Sequence, residues 1–148
     1  MSSMFLHSLL VLLVPIHVTL ACKCTPMTLL QAMCNSTTVV LARVSDGQPL
    51  QVDNVVYRRY MLGVTTVFKE EEQKMSNNDD KGTLLFPEKV SDCGGILTDD
   101  FNYVIAGSVN SDGTLVSSSC FHYTPYRNLI GDAHSLGILL GQETCTGA

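Results

Sequence analysis

Apolar residues along this chain fall into separate runs divided by polar or glycine-containing stretches. The first run, Leu9 to Ile16, reads LLVLLVPI, and residues 1–21 contain no Asp, Glu, Lys or Arg. Thr19 and Ala21 are small enough for the −3 and −1 positions of a cleavage site, so residues 1–21 read as a signal peptide removed before Cys22. The run is too short to span a bilayer comfortably, and Pro15 interrupts it.

Behind that segment, Thr25-Pro26 reads as the start of a short helix. Thr can cap, and Pro at the first helical position loses no hydrogen bond. Met27, Leu30 and Met33 follow at helical spacing and predict a core-facing stripe. Residues 37–44, TTVVLARV, are β-branched and predict a strand, and residues 57–68, YRRYMLGVTTVF, predict a longer one with Gly63 as a bulge or bend. Residues 45–54 between them read as a polar loop, and residues 69–82, KEEEQKMSNNDDKG, as a charged, flexible connection. A short strand is expected over 83–86, ended by Pro87. Residues 103–109 and 114–118 flank Asp112-Gly113 and predict a hairpin. Apolar residues between 126 and 140 predict a second helix, broken or ended near Gly137 or Gly141. The expected fold is therefore mainly β: about five antiparallel strands closing into a small β-barrel with flanking helices, with the OB-type barrel as leading candidate.

Charge narrows the partners. The 14 acidic and nine basic residues all follow residue 21 and leave a net charge of −5. An acidic chain without basic clusters argues against nucleic acid or an anionic membrane as partner. The six cysteines Cys22, Cys24, Cys34, Cys93, Cys120 and Cys145 also follow the cleavage site; an even number in a secreted chain predicts three disulfides. Spacing alone does not choose among the pairings. Cys22-Lys23-Cys24 lacks a second close pair and a nearby His, which disfavours a zinc site built from thiolates.

Enzyme readings find little support. Only His122 and His134 remain after cleavage, there is no Gly-x-Ser-x-Gly or His-Glu-x-x-His, and Asp99-Asp100 are adjacent rather than opposed. Asn35-Ser36-Thr37 is an N-glycosylation sequon, with Asn35 as acceptor. The unusual feature is the cysteine behind the cut. An amino-terminal Cys22 would carry a primary α-amine next to its own carbonyl, and the two could chelate a metal in a five-membered ring. The amine titrates near about 8, so it loses its proton at little cost at neutral pH. A catalytic zinc keeps one coordination position for water, and a rigid chelating amine could displace that water. The plainer reading is that Cys22 only anchors the terminus.

The start CKCTP, CNS at Cys34–Ser36, YRRY at Tyr57–Tyr60, DCGG around Cys93, YVIAG at Tyr103–Gly107 and SSSCFHYTPY around Cys120 together resemble the amino-terminal domain of the tissue inhibitors of metalloproteinases. That domain is netrin-like, an OB-type barrel, and the resemblance spans residues 22–148. It implies pairings of Cys22 with Cys93, Cys24 with Cys120, and Cys34 with Cys145. It implies a secreted, monomeric protein that is not an enzyme and has no cofactor of its own. Its partners would be zinc metalloproteases, whose catalytic zinc Cys22 would bind through its α-amine and carbonyl. Cys22, Lys23, Cys24, Thr25 and Pro26 would lie in the protease cleft like a substrate, with Val90, Ser91 and Asp92 beside them.

Three features depart from the family's pattern. The second residue is usually Thr or Ser and enters the protease's primary pocket; here it is Lys23, whose ammonium is costly to bury in an apolar pocket, so an acidic or open pocket is favoured. The family's closing Gly-Cys-x-x-Cys appears as GQETC, with Gln142 at the first cysteine position and Cys145 taking over the pairing. The chain ends at Ala148, before the family's second, disulfide-rich domain. The alternative function is a netrin-like extracellular binding module that inhibits nothing.

Overall fold

The computed structural model describes residues 22–25, 27–70, 75, 81–121 and 123–128. A helix, α1 (Leu29–Asn35), precedes six strands: β1 (Thr38–Val52), β2 (Val55–Glu70), β3 (Lys81–Pro87), β4 (Phe101–Val109), β5 (Leu115–Val116) and β6 (Tyr123–Pro125). Single 3-10 turns cover Val90–Asp92 and Tyr126–Asn128. The molecule is thus mainly β, with one six-stranded sheet in the order β1-β2-β3-β5-β4-β6. β1 pairs antiparallel with both β2 and β4, so the pairings run from β1 through β2, β3, β5 and β4 and return to β1. One expectation needs correction: the β3–β5 contact is parallel, Leu84 opposite Leu115 and Leu85 opposite Val116, so the strands are not all antiparallel.

Helix α1 starts later than the Thr25-Pro26 signal suggests. Thr28 is its cap: its Oγ1 accepts from the Gln31 N–H at 3.2 Å while its own N–H donates to Gln31 Oε1 at 3.1 Å. This reciprocal box satisfies two end donors together, which Thr25 has no partner to do. Leu29, Ala32 and Met33 are buried, and Met27 and Leu30 pack partly against the same cluster.

The expected loop over 45–54 is instead the outer half of β1. Its pairing continues from Gln48 opposite Arg59 to Val52 opposite Val55, leaving Asp53-Asn54 as the turn. Polar residues belong there because both faces of this arm are largely exposed. Register irregularities fall between Val39 and Val40, Leu41 and Ala42, and Ser45 and Gln48. Gly63 is not among them; it pairs regularly with Arg43. The charged connection also hides a core residue. Met75 is 4% exposed, its N–H donates to Glu70 Oε1 at 2.9 Å, and it joins the main core.

The inner half of β1 and the centre of β4 are covered on both faces. Val40, Ala42, Val44 and Ile105 point into the main core with Tyr60, Leu62, Leu84 and Phe86, while Val39, Val104 and Ala106 face α1. Double-sided burial explains why Val39–Ala42 and Tyr103–Ala106 are continuous runs rather than alternating ones. The β4–β5 hairpin forms as expected. Asn110 N–H donates to Thr114 O at 2.9 Å, Asp112 Oδ1 accepts from Thr114 N–H at 2.9 Å, and Gly113 takes φ 81°, a conformation that glycine adopts without Cβ strain. The helix expected over 126–140 lies outside the described residues beyond Asn128.

Candidate functional site

The chain enters the described structure as an extended strip without regular secondary structure, residues 22–25. Cys22 and Cys24 are half-buried, whereas Lys23 and Thr25 are exposed. This alternation follows from extended geometry, in which successive side chains point to opposite sides. The inward side chains are tied down covalently: Cys22 to Cys93, with Cα atoms 4.8 Å apart, and Cys24 to Cys120, with Cα atoms 5.3 Å apart. The crosslinked residues are 71 and 96 positions apart in sequence. Closing loops of this length constrains the unfolded chain by roughly 3–5 kcal/mol each in the chain-entropy account.

The two crosslinks pack against one another. Cys22 Sγ lies 3.2 Å from Cys24 Sγ and 3.7 Å from Cys120 Sγ, and all four sulfurs lie within 4.8 Å of each other. Such a cluster has the dimensions of a four-thiolate metal site, but both pairs are oxidised and have no thiolate to give. Among the described residues no backbone hydrogen bond involves residues 22–25.

The segment receiving Cys22 is rigid for its own reasons. Cys93 sits in the left-handed region at φ 62°, unusual for a residue with a Cβ. This reverses the chain, letting Gly94 N–H donate to Lys89 O and Gly95 N–H to Pro87 O, each at 2.9 Å. Gly94 lies so close to Pro87 that a Cβ would collide with that residue's carbonyl oxygen, so only glycine fits. Ser119 N–H donates to Cys93 O at 2.7 Å, tying the Cys120 segment to the Cys93 segment directly. The stretches of chain around Cys22, Cys93 and Cys120 thus converge on one small knot.

The protein-family model for "Tissue inhibitor of metalloproteinase" matches residues 20–137. The chain belongs to the tissue inhibitor of metalloproteinase family. No match was found among curated proteins. Among the described residues, no helix is long and apolar enough to cross a membrane.

In this family member the structure places Val90 and Ser91 at the surface and Asp92 half-buried, all in the 3-10 turn that leads into Cys93. They therefore share the knot with Cys22, Lys23, Cys24 and Thr25. Pro26 lies outside the described residues. Cys34, at the far end of α1, is disulfide-bonded, and its backbone carbonyl accepts from Lys69 Nζ at 3.2 Å. The expected partner, Cys145, lies outside the described residues. Asn35 is exposed where α1 ends, which leaves a sequon acceptor accessible in the folded chain.

Sequence reasoning missed the residues that secure the far side of the knot. Leu97, four residues after Cys93, is 3% exposed and inserts into the main core. Its N–H donates to the Tyr60 hydroxyl at 3.0 Å, and the next N–H, of Thr98, donates to the Tyr103 hydroxyl at 3.1 Å. Burial pushes the Tyr60 phenol above its ordinary pKa of 10.0, so it stays neutral and hydrogen-bonding at neutral pH. The only hint in the sequence is that both tyrosines stand within otherwise strand-like runs. A polar tip on a buried ring needs a partner.

Proposed function

We propose that this protein is a secreted inhibitor of zinc metalloproteases. In this reading residues 1–21 are removed, the α-amine of Cys22 becomes free, and that amine chelates the target's catalytic zinc together with the Cys22 carbonyl. The zinc belongs to the protease, and the inhibitor has no cofactor of its own. Cys22, Lys23, Cys24, Thr25 and Pro26 occupy the cleft in a substrate-like manner, and Val90, Ser91 and Asp92 lie alongside. The inhibitor acts as a monomer on a netrin-like, OB-type barrel; the closed circuit of strand pairings supports that architecture.

The observation that carries this reading is the state of residues 22–25: clamped by disulfides at both cysteines, exposed at Lys23 and Thr25, and free of backbone partners among the described residues. A strip held this way loses little entropy on entering a cleft, and its open peptide groups can pair with a cleft strand. Disulfide clamping also keeps the strip in place, so a cut within it does not release the product. The exposed Lys23 directs the choice of target towards an acidic or open primary pocket, since an unpaired ammonium is costly in an apolar one.

Amino-terminal sequencing and intact mass of the secreted protein, followed by inhibition assays on zinc metalloproteases, test the reading. The expected result is a chain beginning at Cys22 that inhibits stoichiometrically, with no free thiol. The mass should also drop on enzymatic removal of N-glycans, through a glycan on Asn35. A chain that begins elsewhere, or begins at Cys22 and inhibits none, would favour the non-inhibitory netrin-like module.

A further inference from the structure

We propose that Ile96, with Val90, forms an apolar shoulder of the inhibitory edge that packs against the apolar wall of the target protease's cleft beside its zinc. The inference rests on the inhibitor reading above and adds a contact residue outside the strip and its immediate flank.

Among the described residues, Val90 at 77% and Ile96 at 66% are the most exposed of the large hydrophobic side chains; Val67 follows at 44%. The two stand three positions either side of Cys93, the cysteine that holds Cys22. An isolated exposed valine or isoleucine on a surface needs no explanation, but these two flank the same disulfide-bonded cysteine in sequence and stand on backbone held by hydrogen bonds. Val90 opens the 3-10 turn, and its carbonyl accepts from Cys93 N–H at 3.2 Å. Ile96 is bracketed by Gly95, whose N–H is held by Pro87 O, and by Leu97, whose side chain is in the core and whose N–H is held by Tyr60. The backbone therefore fixes an apolar side chain in water at both places.

Pre-fixed apolar groups at the margin of a binding strip gain from burial without a large ordering cost. The partner they fit is a wall of aliphatic or aromatic side chains flanking the site where the strip enters. Fully burying one such side chain changes affinity by roughly ten- to a hundredfold. Its removal should act mainly on dissociation, because a neutral contact does not steer encounter.

The test measures inhibition constants and dissociation rates for native protein, Ile96→Ser, Val90→Ser, Ile96→Leu and, as a control on β2, Val67→Ser, against a metalloprotease that the native protein inhibits. Thermal unfolding and intact mass verify that each variant is folded and fully oxidised. The expected result is about ten- to a hundredfold weaker inhibition for Ile96→Ser through faster dissociation. Val90→Ser should show a loss in the same direction, Ile96→Leu should keep near-native inhibition, and Val67→Ser should stay within about twofold. Ile96→Ser inhibiting within twofold of native, while an Ala placed ahead of Cys22 abolishes inhibition, would overturn the shoulder and leave the inhibitor reading standing. If native protein dimerises in solution and Ile96→Ser abolishes the dimer without weakening inhibition, a second copy is the occupant and the proposal is wrong. If the native protein, cut at Cys22, inhibits no zinc metalloprotease, both readings fall together.

Discussion

The sheet and the cysteine knot are rigid for opposite reasons. At the centre of β1 and β4, Val39, Val40, Val104 and Ile105 have no exposed surface, and the backbone is paired on both sides. Apolar burial and strand pairing hold those residues in place. The strip at residues 22–25 has no fully buried side chain and no backbone pairing among the described residues. Two disulfides hold it instead. The contrast fits the proposed role of the strip: a binding edge must keep available to a partner the groups that would ordinarily fix a strand, so the fixing falls to covalent bonds on the opposite side.

The largest expected effect comes from Phe86→Ala, which the two regions should share. Phe86 is fully buried and meets the Tyr123 ring edge-on at 4.9 Å between centroids. Its loss should cost about 3–5 kcal/mol in urea unfolding and weaken sheet and knot together. Replacing Cys22 and Cys93 by Ser together should cost about 3–5 kcal/mol, yet leave the β signal in circular dichroism below the lowered melting point while inhibition disappears. If the double variant still inhibits like native protein, the clamp on Cys22 is not what makes the strip competent.

Much of the sheet is legible in the order of residues, and the reasons for the exceptions are local. Within the runs at 37–44 and 103–109, Val39–Ala42 and Tyr103–Ala106 stand out because both of their faces are covered, so each position there is apolar or aromatic. The outer arm of β1 is hidden because its exposed faces admit polar residues, Gly47 and Pro49, which read as a loop. Met75 is masked by the charges around it. β6 is only three residues long and includes Pro125, so it carries almost no periodic signal. For the knot, the sequence marks the cysteines, while the pairing comes from resemblance. The hydrogen bonds of the Tyr60 and Tyr103 hydroxyls are invisible there, because a tyrosine's partner is set by tertiary contact rather than by its neighbours in the chain.

Two finer substitutions sharpen the contrast. Lys23→Thr should strengthen inhibition of metalloproteases with apolar primary pockets by about ten- to a hundredfold, on the order of 1–3 kcal/mol, by removing an ammonium that has no partner there. Unchanged inhibition would mean that Lys23 does not enter the pocket. Tyr60→Phe should cost about 1 kcal/mol through the lost bond to Leu97 N–H. It should also alter the pH response. The folded phenol has a pKa raised above 10.0, so between that value and the folded pKa the unfolded chain binds fewer protons than the folded one. Native stability therefore falls as pH rises above about 10, and this part of the fall should vanish in Tyr60→Phe. Parallel melting curves for both proteins from neutral to alkaline pH read the difference.

The most direct test of zinc chelation by Cys22 adds one alanine ahead of that residue. The addition turns the α-amine into an amide, whose nitrogen lone pair is delocalised and a poor metal ligand. It replaces no cysteine and no core residue. The account predicts an unchanged circular dichroism spectrum and melting point with inhibition of zinc metalloproteases lost. If the extended protein inhibits as well as one that begins at Cys22, chelation by that residue is wrong.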